Sequence, residues 1–357
     1  MPSAPAAPVR ATVWYLGVQI VDPKTPAATF GVQKVPGYNP EPDFEMLKKQ
    51  QVQMAQGAVP ESKGADYSFL IQTFLGLSLE KRDALQDFFM MKTGRAVSSY
   101  FEPGMLSSSV NGILRALAIG PLMYDVELLN KSLEGFGTDE MLLTELVLNR
   151  PPEELRLLME AYKTRYGRNL VDAVKSDLSG DLKRLFVMAL NCQRAPDSVP
   201  VNQAQVILDV DRLVKAGKAK HEMPFIEIFV NSSRPHLASV ITVYGQKHKS
   251  LSKVVKKTFS GALENALLYI LHGVKAKRDG QGIWRDAKLL EKTMAGLGTR
   301  DATLIYRTIR AHWDIRRFER VKESYKNRYG KTLEHRIKGE TSGEYRQALL
   351  MIVRKQA

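Results

Sequence analysis

Two segments carry the same order of small residues, Gly135-Phe136-Gly137-Thr138 and Gly296-Leu297-Gly298-Thr299, 161 residues apart. Glycine accepts backbone angles that other residues avoid, so a turn with two glycines can aim several carbonyl oxygens inward. In the first turn the carbonyls of Leu133, Gly135 and Gly137 can converge; in the second the equivalents are Met294, Gly296 and Gly298. Such a cradle suits calcium, a hard cation that takes roughly six to eight oxygen ligands. A carboxylate is needed to complete it, and one stands at a repeated place. Asp177 lies 40 residues after Gly137 and Glu340 lies 42 after Gly298, each one residue short of a Ser-Gly pair. A lone Gly-x-Gly-Thr would do no more than shape a turn and cap a helix. Turn and acid recurring together point to a cation site.

The elements that hold these turns are themselves repeated. Without a gap, Arg165, Tyr166, Gly167, Leu170, Lys175, Ser179 and Gly180 match Arg328, Tyr329, Gly330, Leu333, Lys338, Ser342 and Gly343 at an offset of 163. A weaker copy places Leu251, Val255, Lys256, Ser260 and Gly261 81 residues after Leu170, Val174, Lys175, Ser179 and Gly180, and a fainter echo of Tyr166-Gly167-Arg168 sits at Thr93-Gly94-Arg95. A period of this size signals a repeat architecture. The copies span 41–118, 119–195, 200–278 and 283–356, after a Pro- and Ala-rich tail over 1–40 that reads as a flexible leader. Within a copy the apolar spacing is helical: Leu182, Leu185, Phe186 and Ala189, and again Tyr345, Ala348, Leu349 and Ile352. Thr138 and Thr299 are placed as N-caps, Pro151-Pro152 opens a helix, Gly167 closes it and Ser179 caps the last. The pattern gives an all-α chain of about five short helices per copy and no strand.

Composition narrows the class of function. The formal charge of +14 is unevenly spread: residues 201–357 hold 31 Lys/Arg against 15 Asp/Glu. A basic half seeks an anionic partner, either acidic lipid or nucleic acid. A single cysteine, Cys192, rules out an intrachain disulfide framework and suits a reducing compartment. No apolar run is long enough to span a bilayer. The six histidines lack zinc-ligand spacing, Asp209-Val210-Asp211 opens like an EF-hand loop but lacks its glycine, and no catalytic constellation can be assembled.

Gly-Phe-Gly-Thr-Asp-Glu, Asn-Arg-Pro-Pro-Glu-Glu-Leu and Lys-Ser-Asp-Leu-Ser-Gly resemble an annexin repeat, as do Gly-Leu-Gly-Thr and Ile-Lys-Gly-Glu-Thr-Ser-Gly. The resemblance is to a four-repeat annexin of fungal type with repeats one and three degenerate. It implies five helices per repeat, four repeats in a curved disc, and Ca2+ bridging protein oxygens to lipid phosphate on the convex face. It also implies minor calcium sites using Thr138 with Glu140 and Thr299 with Asp301, and a structural pair of Asp125 with Arg150. The expected role is calcium-dependent, peripheral docking on acidic, phosphatidylserine-like membranes from the cytoplasm, in membrane organisation or trafficking, with self-association there and no enzyme activity. The competing reading is a calcium-independent binder of acidic lipid, nucleic acid or the actin cytoskeleton through the basic half. Copy one has Gly57-Ala58-Val59-Pro60-Glu61 in place of the turn and Phe101-Glu102-Pro103-Gly104 near the acid. Copy three has Lys218-Ala219-Lys220-His221 in the turn and Thr258 at the acid position, with Lys215, Lys218 and Lys220 able to attract acidic lipid directly. Trp313 is expected to pack or to touch a membrane edge.

Overall fold

The computed structural model describes residues 11–23, 35–55, 67–101, 108–135, 137–248, 250–276, 278–296 and 298–356. Among them the chain forms eighteen α-helices, one 3-10 helix (Val97–Phe101) and one two-stranded antiparallel hairpin. The fold is all-α in class. The hairpin joins β1 (Thr12–Tyr15) to β2 (Val18–Val21). The helices are α1 (Glu41–Ala55), α2 (Tyr67–Gly76), α3 (Leu79–Thr93), α4 (Ser108–Ser132), α5 (Glu140–Val147), α6 (Pro152–Tyr166), α7 (Leu170–Asp177), α8 (Gly180–Leu190) and α9 (Gln203–Ala219). They continue as α10 (Met223–Asn231), α11 (Arg234–Lys247), α12 (Leu251–Thr258), α13 (Gly261–Val274), α14 (Ile283–Met294), α15 (Asp301–Trp313), α16 (Ile315–Tyr329), α17 (Leu333–Glu340) and α18 (Gly343–Arg354).

A chemical break divides α4. Gly120 takes φ 76° and Pro121 follows, so two helices meet end to end there. Proline has no N–H to give the preceding turn and its ring crowds that turn, which ends the ladder. The chain forms two compact units, one of residues 1–124 with 288–357 and the other of residues 125–287. In the second unit the segment after the break is followed by helices of 8, 15, 8 and 11 residues. The final set, α15 to α18, runs 13, 15, 8 and 12. Of the eight anticipated inward positions, Leu185, Phe186, Ala348, Leu349 and Ile352 are buried, while Leu182, Ala189 and Tyr345 are half-buried at the edge of the apolar face.

Sequence differences explain where the two sets diverge. After α5 the backbone turns at Asn149 (φ 64°) and Pro151-Pro152 forces a new helix. The final set has Ala311-His312-Trp313 instead, so α15 runs on to Trp313. Asp314 then serves both helices, closing α15 and accepting from the Arg317 N–H at 2.9 Å to open α16. Trp313 is interior, 6% exposed, with the Arg82 guanidinium 5.2 Å from its ring, so it packs and is not a surface edge.

The second unit is anchored by charge as well as by its core. Asp125 is fully buried and takes Arg150 Nη1 at 2.6 Å, while the same guanidinium reaches Glu154 Oε2 at 2.8 Å and the Leu146 carbonyl at 3.3 Å. The core of the same unit includes Leu129, Leu143, Leu146, Leu158, Tyr162 and Phe186, each 0% exposed. Each such side chain contributes about 1.5–3 kcal/mol of burial. Cys192 is a free, buried thiol whose pKa is pushed up by burial.

Two expectations are corrected. Residues 11–23 of the tail are structured: Tyr15 is fully buried, Ile20 is nearly so, and Gly17 sits so close to Asp314 that a Cβ there would lie 2.7 Å from its carboxylate. The physical cause is the β-rich pattern Thr-Val-Trp-Tyr, Leu-Gly, Val-Gln-Ile-Val, two short runs joined by a two-residue turn. The N-caps also move by one residue. Asp139, not Thr138, caps α5 through a bond from the Leu142 N–H, and Arg300, not Thr299, holds the cap position of α15. Ser179 holds the cap position of α8 without a side-chain cap bond.

His312 gives the fold a pH dependence. It is buried, and that burial, reinforced by the positive charges of Arg82 and Lys355, pushes its pKa down from 6.5 to about 3. The unfolded chain therefore takes up this proton more readily, so the stability it confers is present above pH 6.5 and is lost as pH falls toward 3. Between pH 7 and pH 5 the wild-type chain is expected to lose about 2 kcal/mol more than His312→Gln. Urea unfolding of both proteins at the two pH values measures the difference.

Candidate metal centres

Each glycine turn is a loop that the backbone closes on itself. In the second unit α4 ends at Ser132, whose buried hydroxyl donates to the Leu129 carbonyl at 2.8 Å. The Asp139 N–H returns to the Ser132 carbonyl at 3.0 Å, closing the loop between them. In the first unit buried Thr293 donates to the Leu290 carbonyl at 2.6 Å and the Arg300 N–H returns to the Thr293 carbonyl at 2.9 Å. The glycines take φ 99° and 97° at Gly135 and Gly137, and 106° and 78° at Gly296 and Gly298. A side chain is strained at such angles, so the residue types and the loop geometry require each other. Ser132 and Thr293, which close the loops, lie outside the Gly-x-Gly-Thr motif, although they align at the same offset as the glycines.

The distant acids stand beside these loops. Asp177 and Glu340 are the last residues of α7 and α17, where the helix macrodipole is negative and favours a cation. The Thr138 hydroxyl donates to the exposed Asp177 carboxylate, and Thr299 Oγ1 donates to the Glu340 carbonyl at 2.9 Å. Loop and acid are thus tied by the same threonine in both sets. Among the described residues no donor reaches the carbonyls of Leu133, Gly135 and Gly137, which leaves them to a ligand or solvent. Nor does any cluster of three or more His, Cys, Asp or Glu side chains among them form a metal site, so a centre here draws on carbonyls. The residues present fit a hard cation.

The final set places an arginine against its loop. Arg336, on α17, donates from Nη1 to Glu340 Oε1 at 2.6 Å and from Nη2 to the Met294 carbonyl at 2.6 Å. Its Nε lies 3.4 Å from Glu291 Oε2 without hydrogen-bond geometry. Glu291 also accepts from the Tyr325 hydroxyl, which burial and then this carboxylate hold far above its ordinary pKa and so protonated. The counterparts of Glu291 and Tyr325 in the second unit are Asn130 and Tyr162, and there Arg168, aligned with Lys331, bonds to the Tyr162 hydroxyl and Asn130 Oδ1 at 2.8 and 2.9 Å. Ala173 stands where the final set has Arg336.

The remaining residues sort plainly. Glu140 and Asp301 are the first residues of α5 and α15, and among the described residues no contact joins them to Thr138 or Thr299. In copy three α9 continues to Ala219 and Lys220 closes it at φ 55°, so carbonyls that a loop would present are spent within the helix. Thr258 ends α12 and offers no carboxylate. In copy one, residues 57–61 and 102–104 lie outside the described residues.

The chain is thus an all-α protein in which two glycine loops are each tied through a threonine to the end of a helix that carries an acid. The family model described as Annexin matches residues 124–189 and 285–352. Annexin C1 of Cryptococcus neoformans var. grubii is 36% identical over 348 residues, covering 96% of this chain and 71% of that protein. Annexin A4 of Bos taurus is 30% identical, covering 90% and 96%. A structure of a point mutant of annexin A8 with an intact N-terminus matches with a TM-score of 0.78 at 30% identity, covering 91% of this chain and 98% of that one. The chain belongs to the annexin family. Membership implies calcium-dependent phospholipid binding in general, by proteins that are not enzymes.

Proposed function

We propose that this chain docks peripherally on acidic membranes through two calcium centres, one in the 133–138 loop with Asp177 and one in the 294–299 loop with Glu340. The observation that carries this reading is the shared geometry: two closed glycine loops, each bound through its threonine to the end of an eight-residue helix that carries an acid. Bound calcium supplies a divalent charge with coordination positions left for lipid phosphate oxygens. The chain's part is to hold carbonyls and carboxylate in place beforehand. Thr138 with Glu140 and Thr299 with Asp301 are retained as minor sites. The four-copy division over 41–118, 119–195, 200–278 and 283–356, cytoplasmic residence, self-association on the membrane and a role in membrane organisation or trafficking belong to the same reading. Among the described residues no helix is long and apolar enough to cross a membrane. The test is sedimentation with phosphatidylserine vesicles: binding in calcium and release by chelator support the reading, and calcium-independent binding of unchanged strength overturns it.

A second reading concerns copy three. Lys218, Lys220 and His221 at the end of α9 and Lys253, Lys256 and Lys257 on α12 are all exposed. The two helices touch there, since a Cβ at Gly217 would lie 3.2 Å from the Val254 side chain. This cluster would attract acidic lipid without calcium, each charge adding roughly 1 kcal/mol near the surface. Reversing Lys218, Lys220, Lys256 and Lys257 to Glu is expected to remove residual, salt-sensitive vesicle binding in chelator. If that residual binding persists, the cluster is only a solvated surface.

A further inference from the structure

We propose that Arg336 is a built-in competitor for the centre at the 294–299 loop, a cation supplied by the chain itself. Its guanidinium holds two of the groups assigned as calcium ligands, the Met294 carbonyl and the Glu340 carboxylate, both at 2.6 Å, and lies 3.4 Å from Glu291. The arginine and Glu340 side chains are 25% and 23% exposed, so the pair is shielded well beyond an ordinary surface ion pair. A planar guanidinium bridging a carboxylate and a carbonyl is a strong, oriented contact, and a point charge arriving at the same oxygens must displace it.

The surrounding charge points the same way. In and next to the 133–138 loop and the Asp177 helix end, the sequence carries Glu134, Asp139, Glu140, Asp177 and Asp181 against Lys175. The aligned positions around the 294–299 loop are Ala295, Arg300, Asp301, Glu340, Glu344 and Lys338, with Arg336 in place of Ala173. The first set sums to −4 and the second to 0 over these seven positions, and including Asn130 and its counterpart Glu291 gives −4 against −1. The two centres are therefore unequal by construction. The Asp177 centre fills at low calcium, and the Glu340 centre forms a second, higher threshold that opens when Arg336 leaves. Once displaced, the guanidinium is available to a lipid phosphate beside the loop.

This inference rests on the assignment of the Glu340 centre, and the experiment separates the two. Calcium binding is followed calorimetrically, with calcium chloride alone and then with phosphatidylserine vesicles, in an Asp177→Ala background that silences the other centre. Arg336→Ala recreates the residue of the second copy and is expected to strengthen the remaining binding step by about tenfold or more. Arg336→Gln keeps an amide donor for the Met294 carbonyl without charge and should give a smaller gain, with thermal midpoints reporting that both variants fold. A remaining step that Glu340→Ala abolishes, but that neither Arg336 variant strengthens, overturns the role of Arg336 alone. A step that survives Glu340→Ala, or no step with Arg336 either present or replaced, overturns the assignment of the centre and the inference with it.

Discussion

Replacing Asp177 and Glu340 together with alanine is expected to raise the calcium needed for half-maximal vesicle binding by about two orders of magnitude or more. In the proposed centres each carboxylate is a charged ligand at its loop, and a lost charge-assisted contact costs about 1.5–3 kcal/mol, roughly ten- to a hundredfold per centre. The centres act on one membrane, so weakening both costs more than either alone. The fold should be little disturbed. Asp177 is exposed at the end of α7 and its described partner is the Thr138 hydroxyl, while Glu340 ends α17 and pairs with Arg336 near the surface. The two single variants should differ: Asp177→Ala removes binding at low calcium, and Glu340→Ala mainly removes the high-calcium portion. Sedimentation across a calcium series, with circular dichroism as the folding control, reads both effects. Unchanged calcium dependence in the double variant would remove both acids from the mechanism.

The largest stability effect is expected at Arg150. Its guanidinium faces the fully buried Asp125 carboxylate at 2.6 Å, so Arg150→Ala leaves a buried negative charge without its counter-ion. Removing one partner of such a pair costs about 3–5 kcal/mol, a large share of the stability of most domains. Replacing both partners with apolar residues of similar size, Asp125→Leu with Arg150→Met, should cost less than the single change, because the fully buried charge goes with its partner and only the partly exposed Glu154 loses its contact with Arg150. Urea unfolding of the three proteins checks the order. An Arg150→Ala protein within about 1 kcal/mol of wild type would show that Asp125 finds compensation elsewhere.

Much of this was legible in the sequence because the constraints are local and repeated. Two glycines at positive φ are demanded by backbone geometry, a threonine after them and an acid before Ser-Gly recur with them, and the repeat made them visible together. The helices followed from apolar spacing for the same reason. Other features were legible only in part. Thr138 and Thr299 looked like N-caps because threonine is a good cap; the structure spends their hydroxyls on the ends of α7 and α17 and moves the caps to Asp139 and Arg300. The hairpin at 11–23 carried a proper signal, two β-rich runs joined by Leu16-Gly17, but Pro- and Ala-rich flanks drew attention to leader character instead. Arg336 could not be read at all. An arginine four residues before a glutamate on a helix is an ordinary surface pair in sequence, and only the structure shows that the guanidinium also holds the Met294 carbonyl at the start of the loop. In copy three the missing glycines and acid are plain from the residues, whereas α9 running straight through the loop region is a fact of packing.

The most direct measurement is to locate calcium by anomalous scattering in crystals grown over a range of calcium concentrations. The expected result is one ion in the 133–138 loop against Asp177 at low calcium, joined at high calcium by a second in the 294–299 loop with Arg336 turned away from Met294 and Glu340. No ion in the 133–138 loop at saturating calcium, or ions held only by side chains elsewhere, would contradict the assignment of the two glycine loops as the calcium centres.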